Sequence, residues 1–147
     1  MADFTLRRAE ARDFPAIPGL IRQARINPTG LDWRRFVVAV NGADAVLGCG
    51  QLKPHRGGII ELASIAVRPE HRQRGIARAI MENLIGAAPR PLYLTCRSSL
   101  RTFYEQWQFQ VLEVSEMPPY FRRLARAMSL VGGLFMPDER LLVMVLK

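Results

Sequence analysis

Ile65-Ala66-Val67-Arg68-Pro69-Glu70-His71-Arg72-Gln73-Arg74-Gly75-Ile76-Ala77-Arg78 carries an apolar run into a basic loop and then into a segment that opens on glycine. From there Ile76, Ile80, Leu84 and Ala88 recur every fourth residue, with Arg78, Glu82 and Asn83 on other faces, the period of an amphipathic helix ending near Pro89. Upstream, Ile59 to Val67 is apolar except for Glu61 and Ser64 and is long enough for a central strand. The order is strand, basic loop, helix. The first turn of a helix exposes unpaired N–H groups and the positive end of its dipole, and small residues let an anion approach the backbone there. Arg72, Arg74 and Arg78 add guanidinium groups suited to phosphate oxygens. Neither G-x-x-x-x-G-K-[ST] nor G-x-G-x-x-G occurs near the turn, which argues against a nucleotide triphosphatase and a Rossmann dehydrogenase.

Outward from this stretch, Phe4 to Arg8 alternates like a half-buried strand, and Asp13 is placed to cap a helix with apolar Phe14, Ile17, Leu20, Ile21 and Ala24. Asn27-Pro28-Thr29-Gly30 reads as a loop. Phe36 to Val40 and Val46 to Leu52 flank Asn41-Gly42-Ala43-Asp44 as a β-hairpin, with a second turn at Pro54 to Gly58. Beyond the helix, Pro91 to Cys96 reads as a buried strand, Ser99 to Trp107 as a short serine-capped helix and Phe109 to Val114 as a strand. Pro118-Pro119 opens a segment with helical spacing at Phe121, Leu124, Ala125 and Met128, so a helical insertion is expected over 115–138 before a last strand, Leu141 to Leu146. Alternating strands and helices favour parallel neighbours in part of the sheet, an α/β (α+β) class. One domain over 1–147 is expected.

The composition, 49% hydrophobic and 23% charged over 147 residues, is that of a soluble globular protein. A net charge of +8 raises the question of nucleic acid, but the arginines are scattered except around the 68–78 loop, so no specific nucleic acid partner is expected. Cys49 and Cys96 lie in apolar runs without ligand spacing, so buried thiols and no metal site are expected. There is no run of about 20 apolar residues for a transmembrane segment and no signal-peptide pattern, which places the chain in the cytoplasm as an expectation.

Arg72-Gln73-Arg74-Gly75-Ile76-Ala77 resembles the [QR]-x-x-G-x-[GA] acetyl-CoA signature of the GNAT superfamily of N-acetyltransferases. Phe103-Tyr104-Glu105-Gln106-Trp107-Gln108-Phe109 resembles its F-Y-x-x-x-G-F block, with Gln108 where the family usually has glycine. The resemblance runs from about Phe4 to Val114 and takes in the last strand, but not the insertion. It implies a mixed, V-split sheet flanked by helices and acetyl-CoA as co-substrate. The pantetheine would lie between the splayed strands on the main chain of Ile65, Ala66 and Val67, and the pyrophosphate on Arg72, Gln73, Arg74, Gly75, Ile76, Ala77 and Arg78.

Acyl transfer to an amine needs a deprotonated nucleophile, a polarised carbonyl and a proton for the departing thiolate. Tyr104, a phenol protonated at neutral pH, suits the last task. Glu61 occupies the position of a catalytic glutamate in some members of the superfamily. It shares one face with Ala63, Ile65 and Val67 in a regular strand, so pleat and any bulge decide where it points. His55 and His71 are the remaining candidates for a base, with water as a further one. Gly48-Cys49-Gly50-Gln51-Leu52 and Glu61 to Val67 look loosely most like amino-acid acetyltransferases related to N-acetylglutamate synthase. A small-molecule primary amine is the expected acceptor, with the α-amine of an amino acid favoured if Arg25, Arg34, Arg35 or Arg97 holds its carboxylate. The rival is a non-catalytic acyl-CoA-binding regulatory module. A homodimer stays open, and the 115–138 segment suits a lid, a dimer contact or a membrane-surface helix.

Overall fold

The computed structural model describes residues 3–135 and 139–147, with the backbone alone over 131–135. Residues 136–138, the end of the expected insertion, lie outside the described residues. Seven strands, β1 (Thr5–Arg8), β2 (Phe36–Val40), β3 (Val46–His55), β4 (Ile59–Val67), β5 (Leu92–Arg97), β6 (Gln110–Val111) and β7 (Leu141–Leu146), form a sheet in the order β1-β2-β3-β4-β5-β7-β6. Among the described residues, four α-helices accompany them: α1 (Ala16–Gln23), α2 (Ile76–Ala87), α3 (Arg101–Glu105) and α4 (Pro119–Phe135). The mixed α/β class is therefore observed. The chain forms two compact units, Met1–Lys53 with Leu62–Ala88, and Pro54–Glu61 with Pro89–Lys147.

In the first unit β2 pairs antiparallel with both β1 and β3, with a bulge at Ala39/Val40. The alternation of β3 distributes its side chains. Cys49 joins Ile17, Leu20 and Ile21 of α1 and Phe36, Val38 and Ala66 in one core cluster, while Gly48 and Gly50 lie against Ile76, Ile80 and Leu84 of α2. Two details differ from expectation. Asp13 does not cap α1: it is buried in a 3₁₀ turn, Ala11–Asp13, and accepts hydrogen bonds from Arg7 Nη1 (2.7 Å), Arg7 Nη2 (2.9 Å) and the Glu10 N–H (2.7 Å), while Pro15 holds the N-cap position of α1. A buried carboxylate is stabilised more by a bidentate arginine than by one helix N–H. The hairpin strand β3 also runs three residues past Leu52. There Lys53 Nζ donates to the Thr29 carbonyl (3.0 Å) and Gln51 Nε2 to that of Gly30 (3.2 Å), tying down the loop ahead of β2.

A second irregularity lies within β4. Ser64 adopts φ +62°, its hydroxyl accepts from Gln51 Nε2 at 2.8 Å, and its carbonyl accepts from Cys49 Sγ at 3.5 Å. A left-handed residue interrupts the pleat, so the face that Glu61, Ala63, Ile65 and Val67 would share is broken at Ser64. The sequence raised a bulge as a condition but gave no sign of its position.

In the second unit β5 pairs antiparallel with β7 over six rungs, from Leu92↔Leu146 to Arg97↔Leu141, and β6 pairs with β7 on its other side. β4 joins β5 in parallel over two rungs, Ile60↔Leu92 and Glu61↔Tyr93, both inside this unit. β6 is shorter than expected because Val114–Glu116 turns into a 3₁₀ helix closed by reciprocal Glu113 and Glu116 contacts. α3 has no serine cap; Ser98 instead donates its N–H to the Arg140 carbonyl (2.9 Å), and its hydroxyl accepts from the Arg140 N–H (3.2 Å). α4 is the expected inserted helix, and Phe121 packs with Met117 and Val143, flanked by Ile59, Tyr93, Leu112 and Tyr120. Among the described residues, no helix is long and apolar enough to cross a membrane.

Candidate active site

The turn expected to hold the phosphates lies in the first unit and is built from both ends. Arg68 anchors its start, donating its N–H to the Leu47 carbonyl (2.9 Å) and Nε to that of Val46 (2.7 Å). After the single 3₁₀ turn Pro69–His71, Arg72 Nε reaches back to the Val67 carbonyl at 3.3 Å. Gln73 and Gly75 then take left-handed φ values of +63° and +82°, conformations that turn successive N–H groups to one side. Gly75 is the N-cap of α2, with no side-chain cap and no acid in the first turn. A Cβ on Gly75 would meet nothing within 4 Å, so the glycine is needed for its φ and not for space.

The far end is fixed by packing. A Cβ on Gly48 would stand 2.9 Å from Ile76 Cγ2, and one on Gly50 would stand 2.6 Å from Ile65 Cδ1 and 2.7 Å from Ile80 Cγ2. These two glycines let α2 settle against β3 and so set where its N-terminus points. Residues 72–75 are exposed, Ile76 and Ala66 are buried, and Ile65, Val67 and Ala77 are half-buried. Arg78 lies 3.8 Å from Glu82. The arrangement suits a diphosphate: open backbone at a helix start, flanked by guanidinium groups. All ten residues expected to touch the co-substrate belong to this one unit. The role of Gly48 and Gly50 emerges only from the packing, although a Gly-x-Gly pair inside a strand is the signal for a close neighbour.

Tyr104 and Glu61 both lie in the second unit. Tyr104 sits on α3 with its ring 6.4 Å from Phe109 and 5.1 Å from Phe103. Gln108 closes α3 at φ +73°, making with a glutamine the turn for which the family block usually uses glycine. Burial, and secondarily Cys96, push the Tyr104 phenol up to about 12. The thiols of Cys96 and Cys49 are likewise pushed up, mainly by burial, to about 11 and about 12. Both are inert at neutral pH.

Glu61 is buried, and its Oε1 lies 2.7 Å from His55 Nε2; the two side chains are 8% and 11% exposed. The extension of β3 brings His55 there. Its ring stacks on Tyr120 of α4, with centroids 3.9 Å apart and planes 23° apart, and meets Phe121 edge-on at 5.7 Å. Burial, with Glu61 next, raises the pKa of Tyr120. Neither the pairing of His55 with Glu61 nor the cover from Tyr120 is visible in the sequence, because no local pattern links positions 55, 61 and 120. His71 lies in the phosphate turn, apart from this group by sequence and unit. Of the arginines expected to hold a carboxylate, Arg34 pairs with Asp32 at 3.3 Å and lies over Trp33, and Arg97 lies 4.0 Å from Glu139. Among the described residues there is no group of three or more His, Cys, Asp or Glu able to hold a metal ion.

A model of the acetyltransferase (GNAT) domain family matches residues 32–111, more than half of the chain, and the chain belongs to that family. Among solved structures, N-acetylglutamate synthase from Neisseria gonorrhoeae complexed with coenzyme A and L-arginine aligns with a TM-score of 0.73 at 22% identity, over 97% of this chain and 33% of that one. This chain thus spans about a third of the length of that relative. Rv2747 from Mycobacterium tuberculosis, in complex with CoA, aligns with a TM-score of 0.72 at 22% identity over 97% and 99% of the two chains. An acyl-CoA N-acyltransferase from Pseudomonas aeruginosa aligns over 100% of both, with a TM-score of 0.68 and 16% identity. A search of curated proteins found no match.

Proposed function

We propose that the chain transfers an acetyl group from acetyl-CoA to a primary amine, and that the acceptor is the α-amine of an amino acid. The observation that carries the reading is the uncapped start of α2 at Gly75, φ +82°, beside exposed Arg72, Gln73 and Arg74. There the N-terminal amides and the guanidinium groups bind the diphosphate, and Ile65, Ala66 and Val67 offer their main chain to the pantetheine. Bound acetyl-CoA supplies the activated thioester carbonyl. Tyr104 donates a hydrogen bond to the sulfur as the bond to it breaks, and Glu61, alone or through His55, draws off the acceptor's proton. The amino-acid acceptor is supported by the fold shared with N-acetylglutamate synthase, of which this chain matches one part.

The test is thiol release from acetyl-CoA with purified protein over a panel of amino acids and cationic amines. Acceptor-dependent release with amino acids supports the reading, and release only with cationic amines overturns the acceptor class. Binding of coenzyme A by calorimetry without acetylation of any amine would instead show the non-catalytic acyl-CoA-binding module.

A further inference from the structure

We propose that His55 is the group that takes the acceptor's proton, and that Glu61 and the ring of Tyr120 from the inserted helix α4 are the positioning residues that hold it for that task. This rests on the acetyl-transfer reading and changes which side chain meets the amine.

The geometry carries the assignment. A carboxylate only accepts hydrogen bonds, so the 2.7 Å contact puts the ring proton on Nε2, donated to Glu61 Oε1, and leaves the lone pair on Nδ1. Among the described residues, no hydrogen bond is made to Nδ1. The carboxylate is thus engaged by the histidine, and the imidazole keeps one basic nitrogen for a ligand. The plane of the ring is fixed from two sides, by the face of Tyr120 at 3.9 Å and the edge of Phe121 at 5.7 Å, which hinders the flip that would exchange the nitrogens. Both rings come from the first turn of α4, beyond the end of the matched family segment at residue 111. The inserted helix therefore completes the base.

The groups facing His55 are few. Glu61 comes from β4 and Tyr120 from α4, while Tyr93 of β5 is reached through Phe121, whose ring lies 5.4 Å from it. Arg122, next along α4, turns its Nη2 to the Met117 carbonyl at 2.9 Å, and Arg56 follows His55 in the chain. Tyr120 stays neutral because burial and Glu61 both disfavour its phenolate. Glu61 is the anion in direct contact, and it stabilises the imidazolium formed when Nδ1 is protonated.

The step balances as follows. One ammonium proton passes to Nδ1, and the freed lone pair forms the C–N bond as the C–S bond breaks. A second proton from the same nitrogen ends on the sulfur, the third remains on the amide, and the imidazolium releases its proton to water. Proton, acyl group and thiol are all accounted for.

The experiment is the pH profile of kcat and kcat/KM for the wild type, His55→Ala, His55→Gln and Glu61→Gln, with an amine that the wild type acetylates. His55→Ala should lower kcat by about 10²- to 10³-fold, leave the KM for acetyl-CoA unchanged and recover part of the rate with added imidazole. His55→Gln, which keeps the bulk under Tyr120, should lose as much and guards against a folding failure of the alanine variant. Glu61→Gln keeps an acceptor oxygen for Nε2 but removes the charge, so kcat should fall by about tenfold with the KM for acetyl-CoA unchanged. An acid limb that disappears in Glu61→Gln but persists in both His55 variants overturns the proposal, as does a wild-type rate in either His55 variant. Those outcomes leave the transferase reading intact. A wild type that acetylates no amine overturns both.

Discussion

Gly50 of β3 and Ile80 of α2 approach so closely that a Cβ on the glycine would stand 2.7 Å from Ile80 Cγ2. Helix α2 carries the proposed phosphate turn at its start, so this contact sets the height of the proposed anion site above β3. Gly50→Ala should destabilise the protein by about 1–3 kcal/mol, the usual cost of an extra methyl in a packed core. It should also raise the KM for acetyl-CoA more than it lowers kcat. Gly48→Ala meets Ile76 at 2.9 Å and should act the same way to a lesser degree. Denaturant unfolding and initial rates together check this; wild-type stability in Gly50→Ala would show that α2 has room to retreat.

Two left-handed positions should respond in opposite directions. Gly75 at φ +82° opens α2 in open space, so Gly75→Ala brings no clash but incurs a left-handed penalty of about 1–2 kcal/mol, or shifts the turn and weakens coenzyme A binding. Gln108 at φ +73° already bears that penalty. Gln108→Gly relieves it, and after the greater chain entropy that glycine loses on folding the net should be a stabilisation of up to about 1 kcal/mol. Thermal melts of the two variants should move to opposite sides of the wild type.

Much of this was legible in the sequence because periodicity and turn chemistry are local. The fourfold spacing from Ile76 gave α2, Asn41 gave the hairpin turn, and the strand, basic loop and glycine gave the order of β4, turn and α2. What stayed hidden depends on contacts between distant residues. Asp13 looks like a cap until Arg7 is brought beside it by β1, and the left-handed Ser64 becomes reasonable only once Gln51 reaches its hydroxyl. His55 looks like part of a turn until β3 extends beneath it and Glu61 lies 2.7 Å away. The aromatic cover from Tyr120 was invisible for the same reason.

The buried acids predict how the protein unfolds in alkali. Cys49 holds its proton up to about 12 and Tyr104 up to about 12, above their ordinary values, because burial disfavours both anions. In the pH window between the ordinary and raised values the folded state binds more protons than the unfolded state, so stability is full below the window and falls as pH rises through it. The decline should begin near the ordinary thiol value, where Cys49 would ionise in the unfolded chain. Cys49→Ala should lessen the slope of its first part, to which the raised Cys96 thiol also contributes, at the cost of some packing in the α1 cluster. Denaturant midpoints measured against pH check this, and an unchanged slope in Cys49→Ala would contradict it.

The same raised phenol limits what Tyr104 can do in the proposed reaction. A thiol has an ordinary pKa of about 8.5, so a phenol near 12 would give up its proton to the leaving thiolate uphill by about 5 kcal/mol. Hydrogen-bond donation carries no such penalty, and a bond to an anionic acceptor contributes about 1.5–3 kcal/mol. Tyr104→Phe should therefore lower kcat by about ten- to a hundredfold with little change in the KM for acetyl-CoA. It should leave the alkaline limb of the pH profile in place, because Tyr104 does not ionise until about 12. Steady-state kinetics across pH decide the matter: a limb that vanishes in Tyr104→Phe would mean that the phenol titrates in the working range and transfers its proton outright.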